Sequence, residues 1–213
     1  MKEKLNKSLR NISSFYDFTV IFNTSNLIKM ARTPTTQIPL GFKAPNFKLP
    51  NVIDHQLISL NEIAQKNGLV VMFICNHCPF VIHVLDEIVM LAKEYKKKDI
   101  GFVAISSNDI INYPEDSPEK MKKLAIDKNF TFPYLFDETQ MVAKSYDAAC
   151  TPDFSVFNHK LECIYRGQLD DSRPGNEEPI NGKDLRLVLD YILKNKKIDF
   201  DQKPSIGCNI KWK

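Results

Sequence analysis

Runs that are apolar throughout alternate along this chain with longer stretches in which apolar residues recur every three or four positions. Residues 69–74 and 100–106 carry almost no charge, as strands covered on both faces require. Between them, Val81, Val84, Leu85, Ile88 and Leu91 recur at helical spacing, which predicts an amphipathic helix over residues 79–97 with one buried stripe. Shorter extended segments are predicted at 46–49 and 56–59. Ser117, Pro118 and Glu119 supply the N-cap, first position and first-turn acid of another helix. A strand over 132–136 and a short helix over 138–146 follow.

After Thr151-Pro152, residues 154–157 and 161–166 flank the turn Asn158-His159-Lys160 and read as a hairpin. Leu185, Val188, Leu189 and Ile192 mark the inner face of a last helix over 184–195. Parallel β-α-β units, then a hairpin and a final helix, predict an α/β fold with a central mixed β-sheet flanked by helices. Residues before about 38 show no sustained period, and Thr33-Pro34-Thr35-Thr36 reads as a linker. The expected organisation is a poorly ordered N-terminal extension over 1–37, one domain over 38–197 and a C-terminal tail over 198–213. Met30 is a second candidate initiator, which would make residues 1–29 an extension or a start-site artefact.

Length and composition narrow the classes. A chain of 213 residues, 43% hydrophobic and 26% charged, supports one sizeable core. The net charge of +3 is spread through mixed-sign stretches, so nucleic-acid binding is not indicated. No apolar run approaches the roughly 20 residues needed to cross a bilayer, and Phe18-Thr19-Val20-Ile21-Phe22 lacks the flanks of a signal peptide. Five cysteines at irregular spacings do not form a secreted disulfide framework, so a reducing, cytoplasmic setting is expected.

Two of those cysteines stand where a strand becomes a helix, in Cys75-Asn76-His77-Cys78. A thiol at a helix start meets unpaired N–H groups and the positive end of the helix dipole, which favour thiolate and so create a nucleophile. Residues three apart at such a start lie on one side, close enough for their sulfurs to bond. Disulfide exchange is the chemistry indicated; two structural cysteines or half a zinc site are the alternatives.

Three marks together, Gly41-Phe42-Lys43-Ala44-Pro45-Asn46-Phe47, the strand followed by Cys75-x-x-Cys78, and Thr151-Pro152 before a strand, resemble the thioredoxin superfamily. The likeness is to thioredoxin-like proteins related to the peroxiredoxins and spans residues 38–197. It implies a thioredoxin-like fold and a thiol-disulfide oxidoreductase in which Cys75, the more exposed thiol, attacks and Cys78 resolves. It makes Pro152 a cis-proline, with Thr151, Pro152 and His77 at the substrate and the backbone before Pro152 pairing with a substrate strand. His77 lies between the thiols, as in strongly oxidising members, where a donating imidazole would lower the Cys75 pKa; a solvent-facing histidine without effect is the other possibility. The implied partners are protein or small-molecule disulfides and a thiol electron donor. No metal and no cofactor beyond the redox-active Cys75-Cys78 disulfide is expected.

Two departures limit the resemblance. The strand 69–74 carries no acidic residue, whereas many relatives bury a carboxylate there to take the proton of the resolving thiol. Topology brings the loop after residue 166 to the same rim, so Asp170 or Asp171 is the candidate proton acceptor, against an ordinary turn-forming role. Cys75 also stands where peroxiredoxins carry a threonine, which makes thiol peroxidase the weaker reading. A third is a thiolate metal-binding or delivery protein using Cys75 and Cys78 with Cys150, His77 or Cys208. Cys150 and Cys208 are possible accessory redox thiols, and Cys163 reads as structural. In the tail, Ile206, Ile210 and Trp212 are expected to pack on the core, while Cys208 either joins them or lies over the active site.

Overall fold

The computed structural model describes residues 32–213; the expectations placed on residues 1–31, Met30 among them, lie outside it. A five-stranded sheet forms the centre, with strands β4 (Gly68–Phe73), β5 (Ile100–Ser106), β6 (Tyr134–Phe136), β8 (Asp153–Phe157) and β9 (Cys163–Gly167). Their order is β6-β5-β4-β8-β9, parallel from β6 to β4 and antiparallel from β4 to β9. β4 and β5 are buried at every position, which accounts for their uninterrupted apolar sequence.

Side chains alternate between the two faces of these strands. On one face Leu69, Val71, Phe73, Val103, Ile105, Leu135 and Phe157 pack with Phe47, Leu60 and Tyr146. Helix α2 (Pro79–Lys96) packs against β5 with Val81, Val84, Leu85, Ile88 and Leu91 buried, the stripe read from spacing. Helix α5 (Lys183–Leu193) buries Leu185, Val188 and Leu189, leaving Ile192 half-buried in its last turn. Helices α1 (Leu60–Ile63), α3 (Pro118–Asp127) and α4 (Met141–Ser145) complete the layers, and a two-stranded ribbon joins β2 (Lys48–Pro50) to β3 (Leu57–Ser59). α4 is shorter than expected. Gln140 enters it with φ +62°, and the buried Asp137 spends one carboxylate oxygen on the Ala143 N–H at 2.9 Å and the Ser107 hydroxyl at 2.9 Å.

The largest departure from the sequence expectation is a second sheet. Strand β1 (Arg32–Pro34), read from sequence as part of the extension and linker, pairs antiparallel with β10 (Ile206–Asn209) of the tail. β10 pairs in turn with β7 (Cys150–Thr151). Strands this short have too few positions to show a period of two, and their stability comes from partners remote in sequence. Ile210 joins the core as expected, but Trp212 is 41% exposed, with the Lys144 ammonium 5.6 Å from its ring. The tail is held by backbone pairing, so it does not need the indole as an anchor.

Arg166 fixes the segment leading into β7. Its buried guanidinium donates to the carbonyls of Tyr146 and Asp147, the latter at 2.7 Å, and lies 3.4 Å from the buried Asp153 carboxylate just after Pro152. Burial pushes Asp153 up to about 6, opposed by the Arg166 charge. Arg166→Met removes the counter-charge of a buried carboxylate and leaves two carbonyls without partners, and is expected to lower stability by about 3 kcal/mol in urea unfolding at neutral pH. Adding Asp153→Asn should recover part of that loss, because no buried charge then remains.

Candidate active site

The Cys75–Cys78 turn joins the end of β4 to α2, with Cys78 as N-cap and Pro79 at the first helical position. Pro79 is tolerated there because that N–H has no helical partner. The turn is clamped from below. Asn76 donates its backbone N–H to Asp116 Oδ1 at 2.7 Å and its amide to the Glu115 carbonyl at 2.9 Å, while Tyr134 donates to Asn76 Oδ1 at 3.1 Å.

Thr151 faces both sulfurs. Its hydroxyl lies 3.3 Å from Cys75 Sγ, and its carbonyl accepts from Cys78 Sγ at 3.1 Å. The Thr151-Pro152 peptide is cis, as the resemblance implied. The backbone edge expected to receive a substrate strand is already paired. Cys208 sits opposite Thr151 and Asn209 opposite Cys150, and Ser205 Oγ donates to the Pro152 carbonyl at 2.6 Å. Nor is Cys75 the more accessible thiol expected from sequence: it is 1% exposed, set against the Thr151 hydroxyl and near Asp116, and Cys78 is 0% exposed, near Cys208 of β10.

All five cysteines are free. Cys78 is the sulfur best able to hold negative charge. The thiols of Cys208 and Cys75 and the N–H groups of Cys208 and Val81 converge on it and pull its pKa far below that of an ordinary thiol. Cys75 is pushed up, first by its hydrogen bond to Cys78, then by burial and by the Asp116 charge. Cys208 is pushed up by the same contact with Cys78 and by burial. Cys150 is raised chiefly by burial, and its sulfur meets the Thr35 hydroxyl at 3.8 Å and the Pro152 carbonyl at 3.6 Å. Cys163 lies in the core, pushed up to about 12 by burial, as a structural cysteine should be.

Asp170 and Asp171, the sequence candidates for proton acceptor, are not brought into contact with the thiols. Asp170 is fully buried and spends its oxygens on the N–H groups of Ser172, Asn181 and Gly182, which shape the loop into α5. Asp171 is taken up by Lys183 and by Lys203 at 2.8 Å, which hold its carboxyl well below the usual range. The acid at the site is Asp116, 0% exposed, which the sequence reading passed over. Its only trace in the sequence is its place in Pro114-Glu115-Asp116-Ser117, ahead of a helix start, where an acid is unremarkable.

A carboxylate oxygen of Asp116, a ring nitrogen of His77 and Cys75 Sγ lie within 4.8 Å of one another. His77 Nδ1 is 2.7 Å from Asp116 Oδ2, with its N–H off the line to the oxygen, so the contact is an ion pair more than an aligned hydrogen bond. The His77 ring stacks on Tyr113 at 5.8 Å. The three groups could approach a metal, but they fit one poorly. Asp116 Oδ1 already accepts from Asn76, and Oδ2 accepts from Asn108 Nδ2 at 2.8 Å besides meeting His77. A cavity of about 410 Å³ opens beside Ile63, Gly101 and Phe132 with no cysteine in its lining, whereas the space at Pro152, Phe80 and Ile206 holds only about 10 Å³.

Asp116 raises the His77 pKa above its usual value, against the effect of burial. Because the folded value lies above the unfolded one, the ion pair stabilises the fold fully below about pH 6.5 and ceases to do so as pH rises through the folded pKa. Titration of the His77 ring protons by NMR should therefore give a midpoint above 6.5. Asp116→Asn should bring the midpoint down and remove the associated pH dependence of the melting temperature.

Comparison with known proteins bears on the family and the fold. The pattern of the AhpC/TSA family matches residues 40–166. No curated protein matches the chain. Among solved structures, an uncharacterized conserved protein from Geobacillus kaustophilus is 55% identical, with 86% of this chain and 97% of that one covered and a TM-score of 0.85. A hypothetical protein from Sinorhizobium meliloti 1021 is 41% identical over 85% of this chain and 98% of that one, with a TM-score of 0.83. The thioredoxin domain of a thiol-disulfide oxidoreductase from Bacteroides vulgatus is 13% identical over 72% of this chain and 99% of that one; its TM-score of 0.55 speaks to the fold alone. With a thioredoxin-like fold, paired thiols at a strand-to-helix turn and a family pattern that spans most of the domain, this chain belongs to the AhpC/TSA family.

Proposed function

We propose that this protein is a dithiol-disulfide oxidoreductase that uses Cys75 and Cys78 to reduce disulfides of proteins or small molecules. The observation that carries this reading is the convergence of both sulfurs on Thr151, at 3.3 Å and 3.1 Å, in direct contact with each other's charge. The family and its neighbours support redox chemistry at this level.

The two sulfurs shift each other's protonation in opposite directions, so the pair titrates as a unit. Attack by Cys75 on a substrate disulfide follows when its proton passes along the hydrogen bond to Cys78. A Cys75–substrate sulfur bond forms, the substrate disulfide breaks, and the departing thiolate takes a proton. Cys78 then loses its proton, attacks Cys75 Sγ and releases the second substrate thiol. The sum is one disulfide reduced to two thiols and one Cys75–Cys78 disulfide formed, which a thiol donor must reduce again. Asp116 and protonated His77, beside Cys75, can hold or release protons during the cycle. A cytoplasmic setting belongs to the same reading, since the five thiols are free and none is needed to staple the fold.

The AhpC/TSA match together with the position of Cys78 at a helix start favours one second reading, a thiol peroxidase in which Cys78 becomes a sulfenic acid. Two measurements separate them. Equilibration in glutathione buffers should give a Cys75–Cys78 potential near about −270 mV, with Cys75→Ser and Cys78→Ser each lowering disulfide reductase turnover by about 100-fold or more. In Cys78→Ser, a mixed disulfide should accumulate on Cys75. A sulfenate trapped at Cys78 after one equivalent of peroxide, with no reductase turnover, would establish the peroxidase instead.

A further inference from the structure

The dithiol has a third member. β10 brings Cys208 opposite Thr151, the residue whose carbonyl receives Cys78 Sγ, so the strand register itself sets Cys208 against Cys78. Cys208 lies close enough to the Cys78 sulfur for the two thiols to act on each other's protonation. The approach depends on Gly207, where a Cβ would run into the Thr151 carbonyl and crowd the Pro152 nitrogen. Nor is the strand loosely laid. Ser205 grips Pro152 at 2.6 Å, its carbonyl accepts the Thr35 N–H at 2.8 Å, and Ile210 donates to Ala149 at 3.1 Å.

We infer that Cys208 is a third redox thiol of this site, exchanging with the Cys75–Cys78 disulfide to form a Cys78–Cys208 disulfide that fastens β10 over the dithiol. This rests on the dithiol reading, because substrate reduction supplies the first disulfide. The Cys208 sulfur, as thiolate, attacks Cys78 Sγ; the Cys78–Cys208 bond forms and the Cys75–Cys78 bond breaks. The proton given up by Cys208 ends on Cys75, which is left as a free thiol. No further oxidant or reductant is consumed, and the exchange is reversible. Cys78 is the natural hinge of such an exchange, because the Thr151 carbonyl receives its sulfur and Thr151 lies opposite Cys208 in the strand register, while Cys75 meets the Thr151 hydroxyl. The product differs from the first disulfide in its mechanical effect. A Cys75–Cys78 bond leaves β10 tethered by hydrogen bonds alone, whereas a Cys78–Cys208 bond locks the strand onto the edge a substrate would need.

The test is disulfide mapping by mass spectrometry on the full chain, oxidised with hydroxyethyl disulfide, quenched in acid and alkylated unfolded. Wild type is expected to yield both Cys75–Cys78 and Cys78–Cys208 peptides, Cys208→Ser only the first, and Cys75→Ser only the second. Gly207→Val, which keeps all three thiols but moves the strand, should lower the Cys78–Cys208 share by about tenfold through the lost effective concentration while Cys75–Cys78 persists. If Cys75–Cys78 forms and Cys208 stays a free thiol in wild type and in Cys75→Ser, the inference falls and the dithiol reading stands. If only Cys78–Cys208 forms, in wild type as well, Cys208 is redox-active and it is the Cys75–Cys78 reading that falls. If neither forms, both are overturned.

Discussion

Thr151 is the point on which the site is assembled. Its hydroxyl meets one sulfur, its carbonyl meets the second, and its strand position lies opposite a third. A residue can serve three partners in this way only if its backbone is held from behind. Arg166 does that, by binding the carbonyls of Tyr146 and Asp147 ahead of β7 and facing Asp153 after Pro152. The guanidinium fork suits the task because it spreads several rigid donors over several acceptors at once. The chemistry of the thiols thus rests on a buried ion pair that contains none of the reacting atoms.

Charge in the site is organised by a chain of contacts and not by a single acid. The Lys211 N–H is accepted by Asn108 Oδ1 at 2.8 Å, Asn108 donates to Asp116, and Asp116 binds the Asn76 N–H and faces His77. The tail, the loop after β5 and the cysteine turn therefore share one polar network. Asp116 comes to the neighbourhood of Cys75 from a 3-10 turn, while β4 itself carries no acid.

The central fold was legible because its signals are local and repeated. The α2 stripe at Val81, Val84, Leu85, Ile88 and Leu91, the uncharged runs of β4 and β5, and the hairpin around Asn158 each carry several residues in agreement. Cys75 and Cys78 were legible as a pair for the same reason. What escaped was non-local. Asp116 is forty residues from Asn76, its partner. β1 and β10 are three- and four-residue strands, with no period to detect. The burial of Cys75, against Thr151 and near Asp116, rests on equally remote partners. Asp170 and Asp171 were placed near the rim by topology, yet sequence does not tell a loop-bracing carboxylate from a reactive one; the N–H groups of Ser172, Asn181 and Gly182 decide it.

The strand order β1-β10-β7 also has a consequence for how the molecule is made. β10 is the middle strand, and it is translated after both of its neighbours. Until it arrives, β1 has no strand to pair with and β7 presents an open edge, while the segments that build the five-stranded sheet have already left the ribosome. During synthesis the thiols therefore pass through a period of open access that ends only when the last strand slides between the other two.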